Sequence, residues 1–141
     1  MKELKPILLV EDDIVDVMTV KRALKDLKIP NQLIRVGNGE DALEYLNSKD
    51  NMEPCVILLD LNMPKMNGFE FLNIIKADEK LKNIPVVVLT TSGTEQDITD
   101  SYKLGVAGYM VKSADYEKSV ETIDNIASNW ISIESPSIGS K

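Results

Sequence analysis

The chain reads as an α/β protein, a doubly wound parallel sheet of five strands carrying five helices. Short continuous apolar runs alternate along it with longer segments whose apolar residues recur at helical spacing, the order that builds βαβ units. Right-handed crossovers between parallel strands then place helices on both faces of one sheet. Size agrees: 141 residues, 43% hydrophobic and 28% charged, suit one globular domain with a sizeable core.

The apolar runs predict strands at 6–10, 32–36, 55–59, 85–90 and 108–111, and helical periodicity fills the intervals at 14–28, 39–49, 67–78, 95–104 and 115–131. In the first helix Val17, Val20, Leu24 and Leu27 share a face while Lys21, Arg22, Lys25 and Asp26 fall mostly outside it, which makes it a covering helix. Breakers fit the joints: Pro30-Asn31 before the second strand, Gly37-Asn38-Gly39 after it, Ile84-Pro85 opening the fourth, and Gly105 and Gly108 on the approach to the fifth. Val120, Ile123, Ala127 and Trp130 repeat at helical spacing in the last helix and read as core rather than as a binding stripe. The domain is expected to occupy 1–131. Residues 132–141 have a Ser/Pro/Gly-rich composition and form a tail, either mobile or packed through Ile133 and Ile138.

Composition removes several function classes. A net charge of −7 argues against nonspecific nucleic-acid binding, which needs clustered Lys and Arg. There is no histidine, so imidazole bases, ligands and phosphohistidine chemistry carried by this chain are excluded. The single cysteine, Cys55, lies in an apolar run and reads as core; it rules out an internal disulfide. No apolar stretch approaches the roughly 18 residues of a membrane span, and the N-terminus lacks the pattern of a secretion signal. A cytoplasmic location is expected.

Chemistry collects where the apolar runs stop. Ile7-Leu8-Leu9-Val10 ends on Glu11, Asp12 and Asp13, and Cys55-Val56-Ile57-Leu58-Leu59 ends on Asp60. Val86-Val87-Val88-Leu89 ends on Thr90, and Tyr109-Met110-Val111 on Lys112. Open α/β sheets bind ligands at the carboxyl ends of their strands. A carboxylate attacking phosphorus is repelled by its anionic donor, so it needs a cation to offset charge and an ammonium to accept the transferred oxygens. Asp60 supplies the nucleophile. Glu11, Asp12 and Asp60 supply hard oxygen ligands for Mg²⁺, Lys112 a point charge for phosphoryl oxygen, and Thr90 a hydroxyl. Taken singly, each residue has a plainer explanation: an N-cap for the acidic triplet, a turn former for Asp60, a strand-end hydroxyl for Thr90, a solvated charge for Lys112. Four independent runs ending on complementary groups are not explained by capping and turns.

These same stretches, with Leu61-Asn62-Met63-Pro64, Asn67-Gly68, Thr91-Ser92 and Gly108, resemble the receiver domains of two-component response regulators over about residues 5 to 130. Ile84-Pro85 through Ser92, together with Asn129-Trp130-Ile131, is most similar to small single-domain regulators that partner phytochrome-type histidine kinases. The resemblance implies a flavodoxin-like sheet of order 2-1-3-4-5 and a switch whose output is partner binding. It makes Asp60 the phosphoacceptor and gives Asp12 direct contact with Mg²⁺ or Mn²⁺, Glu11 contact through water, and Asn62 contact through its backbone carbonyl. Lys112 and Thr90 would hold the phosphoryl group, Thr90 and Tyr109 would form the switch pair, and Thr91 and Ser92 would govern access to the phosphoryl group. The implied partners are a sensor histidine kinase and a downstream protein, with a homodimer through the face of the last two helices as a further expectation.

Two features depart from the family pattern. Receivers usually follow the lysine with a cis proline; here Ser113 follows, and cis before a non-proline costs about 2.5–4 kcal/mol. Either a trans bond with a shifted loop or a strained cis bond is expected, and the support of Lys112 is in question. Thr91 is larger than the residue usual beside the switch threonine, which predicts hindered water attack and slow autodephosphorylation. Rival readings are weaker on specific residues. A phosphatase of the haloacid-dehalogenase kind needs an acid two residues after its nucleophile, where Asn62 stands, and a flavodoxin-like nucleotide binder needs a phosphate cradle where Glu11-Asp12-Asp13 would repel phosphate. A scaffold that works without phosphorylation is the remaining alternative.

Overall fold

The computed structural model describes residues 4–131. Its elements run β1 (Ile7–Val10), α1 (Ile14–Asp26), β2 (Leu33–Val36), α2 (Gly39–Asn47), β3 (Val56–Leu59), α3 (Gly68–Lys76), β4 (Val86–Thr90), α4 (Glu95–Lys103), β5 (Gly108–Val111) and α5 (Tyr116–Trp130). The five strands pair in parallel in the order β2-β1-β3-β4-β5, the expected flavodoxin-like topology. The expected tail at 132–141 lies outside the described residues.

Both faces of the sheet are buried, and the strand sequences divide between them by alternation. Leu8, Val10, Ile57, Leu59, Val86 and Val88 pack into the core that includes Ala42 of α2 and Phe71, Leu72 and Ile75 of α3. Ile7, Leu9, Val56, Leu58, Val87 and Leu89 pack on the other side against Val17, Val20, Ala23 and Leu24 of α1 and Ile123 and Ile126 of α5. This is why the central strands read as unbroken apolar runs: neither face meets water. The outer strands are less covered, and β2 exposes Arg35.

Element ends depart from the sequence reading for local reasons. The strands expected to open at residues 6 and 85 start one residue later, because Pro6 and Pro85 have no N–H to give the ladder. Cys55 also falls outside β3 and is half-buried against the α1/α5 core rather than fully enclosed in it. Helix α1 closes at Asp26, and Lys28 then turns into the left-handed region with φ 59°. Asn67 and Asp115 are not the first helical residues but extended N-caps, Asn67 in a reciprocal capping box with Glu70.

Gly68, the first residue of α3, lies against the backbone that follows β3. A Cβ there would come within 2.7 Å of Leu61 Cα and 2.9 Å of the Asp60 carbonyl oxygen. Backbone cannot give way as a flexible side chain can, so Gly68→Ala should destabilise the domain by about 1–3 kcal/mol in urea denaturation. Gly37→Ala is the control: its Cβ would meet only the Arg35 side chain at 3.7 Å, and it should cost far less.

Candidate functional site

Strand register brings the candidate residues together. Val10 pairs with Leu59 and Leu59 with Val88, so β1, β3 and β4 reach the rim at neighbouring levels. The ladder continues one step past each strand: Glu11 N–H donates to the Val36 carbonyl at 3.0 Å, Asp60 N–H to the Val10 carbonyl at 3.1 Å, and Lys112 N–H to the Thr90 carbonyl at 2.7 Å. Glu11 and Asp60 consequently emerge side by side yet below the surface, 2% and 6% exposed. Asp12 sits above them, exposed.

The acidic triplet divides its work. Asp13 is the N-cap of α1, its Oδ1 accepting from the Val15 and Asp16 N–H groups at 2.9 and 3.4 Å, so the capping explanation holds for this residue. One carboxylate oxygen from each of Glu11, Asp12 and Asp60 lies within 4.8 Å of the others. Three converging hard oxygens suit a divalent cation of the Mg²⁺ or Mn²⁺ type. Asn62 folds back over Asp60, its N–H 3.4 Å from Asp60 Oδ1.

Lys112 reaches into this acidic rim. Its ammonium lies 2.7 Å from Glu11 Oε1, 2.6 Å from Asp16 Oδ2 and 3.7 Å from Asp60 Oδ2. No cis peptide bond occurs among the described residues, so the Lys112–Ser113 bond takes the trans alternative. The lysine is nevertheless held firmly, by ion pairs rather than by a proline. Burial pushes the Glu11 carboxyl up to about 7, with the Lys112 hydrogen bond opposing and the Asp60 charge adding to the rise. For Lys112 burial works downward, but the hydrogen bonds to Asp16 and Glu11 and the charges of Glu11 and Asp60 outweigh it and raise its pKa.

Thr90, at the end of β4, is fully buried, and its Oγ1 has no hydrogen-bond partner among the described residues. A buried hydroxyl left unpaired costs about 1–3 kcal/mol, so it is poised to accept a new partner. Thr91 is exposed. Ser92 is tied on both sides: its hydroxyl donates to Asp97 Oδ2 at 2.5 Å, and its carbonyl accepts from the Tyr109 hydroxyl at 2.7 Å.

Two residues of the site were not anticipated from sequence. Arg35 of β2 donates from Nε to the Glu11 carbonyl at 2.9 Å and from Nη2 to the Asp12 carbonyl at 3.2 Å, fixing the loop that carries both acids. Asp16, in the first turn of α1, supplies the shortest contact to Lys112. An acid in that turn looks like ordinary helix-end compensation, and only its contact with a residue 96 positions away sets it apart.

The response regulator receiver domain family matches residues 7–124. Response regulator Rcp1 of Synechocystis sp. is 42% identical over 131 residues, covering 90% of this chain and 89% of that protein. The crystal structure of the Mn(2+)-bound form of Rcp1 superposes with a TM-score of 0.82 at 40% identity, covering 93% of this chain and 97% of that one. The phosphorylated cyanobacterial phytochrome response regulator RcpA gives 0.85 at 39% identity, covering 94% and 98%.

Because a cation would relieve the mutual repulsion of the rim acids, Mg²⁺ should stabilise the fold by linkage. At a concentration about 100 times its dissociation constant the gain is about 2.7 kcal/mol. Thermal denaturation with and without Mg²⁺ checks this, and in Asp12→Asn the increment should nearly vanish while the metal-free melting temperature stays level or rises.

Proposed function

The chain belongs to the response regulator receiver family, and on that footing we propose that it is a cytoplasmic protein with Asp60 as its phosphoacceptor, phosphorylated by a sensor histidine kinase of the phytochrome class. The observation that carries this reading is the convergence of Glu11, Asp12 and Asp60 within 4.8 Å, beside the Lys112 ammonium and the unpartnered Thr90 hydroxyl. The assignment of the donor class is supported by the similarity to RcpA.

An Asp60 carboxylate oxygen attacks the phosphorus of the kinase phosphohistidine. The new O–P bond forms as the N–P bond breaks, and its electron pair leaves on the imidazole. Mg²⁺ or Mn²⁺ would be held by Asp12, Asp60, the Asn62 backbone carbonyl and, through water, Glu11, and would supply the charge compensation that an anionic nucleophile and an anionic donor require. Lys112, 3.7 Å from Asp60 Oδ2, donates to a phosphoryl oxygen.

The phosphoryl group adds up to about two negative charges and three acceptor oxygens at one point. Thr90 answers with a hydroxyl that gives up no bond to do so. Its movement carries Thr91 and Ser92, and Ser92 is where the Tyr109 hydroxyl is tied. Tyr109 then gives up that bond and takes the space beneath Thr90. The face formed by α4, β5 and α5 changes with it, including Tyr102 and Val111, which are 50% and 47% exposed. That face is the output surface, for a downstream protein or a second copy of this chain, since a phosphoryl group need only favour a conformation already sampled. The protein acts as a switch, with its own phosphorylation and dephosphorylation as its only chemistry.

Incubation with Mg²⁺ and a small phosphodonor should add one phosphoryl group by intact mass, and neither Asp60→Asn nor a metal-free sample should gain it. No added phosphate ester should be turned over; turnover would instead favour an enzyme, and no uptake a scaffold. Light scattering on the same samples should report a larger mass for the phosphorylated form if the output face self-associates. Thr91→Ala should shed its phosphoryl group several-fold faster than wild type by opening a path for water. Equal lifetimes would remove Thr91 from control of access.

A further inference from the structure

We propose that Asp16 is the positioning residue for Lys112, drawing its ammonium toward α1 so that it does not close on Asp60. This rests on the phosphoacceptor reading above but concerns a residue outside that reading's machinery.

An ammonium has three N–H donors. Two are committed, to Asp16 at 2.6 Å and Glu11 at 2.7 Å, while Asp60 at 3.7 Å lies beyond hydrogen-bond reach. Asp60 is the next anion available, so releasing the Asp16 bond leaves Lys112 to complete its pairing there. Below the lysine, between α1 and α5, is a cavity of about 50 Å³ lined by Asp16, Thr19, Lys112, Ser113, Ser119 and other residues. The side chain borders open space there, and its ammonium is fixed by its ion pairs. Ser113 adds no ring constraint, and the Lys112–Ser113 bond is trans.

A lysine closed on Asp60 harms the site twice. It neutralises the carboxylate that must act as nucleophile, and it competes with the cation for the same oxygens. Asp16 opposes both from the far side of the ammonium. Once a phosphoryl group extends Asp60, its oxygens come toward Lys112, and the third N–H finds a partner without the Asp16 bond being given up.

The test is a double-mutant cycle read by calorimetric titration of Mg²⁺, without phosphodonor, into the full chain, with circular dichroism confirming the fold of each variant. Asp16→Asn should weaken Mg²⁺ binding about tenfold, the lower end for groups that orient a ligand shell. In a Lys112→Gln background the same substitution should change affinity less than about twofold, a residue of simple charge loss. Asp16→Glu should recover most of the wild-type affinity. The protected Lys112 ammonium signal in ¹⁵N-edited spectra should persist in Asp16→Glu and be lost in Asp16→Asn. Equal weakening in both backgrounds, or none in either, overturns the proposal. Phosphoryl uptake by wild type is scored separately: if uptake fails while the cycle shows coupling, the phosphoacceptor reading falls and the Asp16 assignment stands.

Discussion

Glu11 and Asp60 are both sunk below the surface, and two carboxylates in that position are tolerated because the Lys112 ammonium lies beside them. Removing water from a charge costs far more than a surface ion pair returns, so a buried acid needs a partner of opposite sign or must take up a proton. Here the partner arrives from β5, across the sheet from β1. The pairing therefore exists only if β1, β3, β4 and β5 stop at matching levels, which their parallel register ensures. Chemistry at the rim is thus a consequence of strand alignment in the core, and the two apolar layers that fix that alignment are part of the site's construction.

What sequence could and could not reveal follows the range of each interaction. Strand ends were legible because a change from apolar to polar within one residue is a local signal, repeated four times. The faces of α1 and α5 were legible for the same reason, as spacing. Exact ends were not, because they turn on proline's missing N–H at Pro6 and Pro85 and on whether Asn67 or Asp115 caps a helix or begins it. Asp16 and Arg35 escaped because their significance lies in partners distant along the chain. One is an acid in a first helical turn and the other a charge in an edge strand, and neither position by itself points to its partner.

The missing proline after Lys112 shows how a constraint can be met by different physics. A ring would restrict the backbone; this chain leaves the backbone trans and restrains the side chain with charge. Such a restraint responds to the occupants of the rim, whereas a ring does not. The lysine is therefore held by the same forces that the proposed phosphoryl group and cation would alter.

The Tyr109 latch has an energetic consequence for how quiet the resting protein is. Among the described residues its hydroxyl bond to the Ser92 carbonyl is the hydrogen bond that ties the ring to that loop, and one neutral hydrogen bond is worth about 1 kcal/mol net. A bias of that size corresponds to a ratio of roughly five to one between ring orientations. If Tyr109 is the switch residue proposed above, unmodified molecules would then visit the alternative orientation often, giving the pathway a basal leak. Its fidelity depends on how cooperatively the rest of the α4–β5 surface follows the ring.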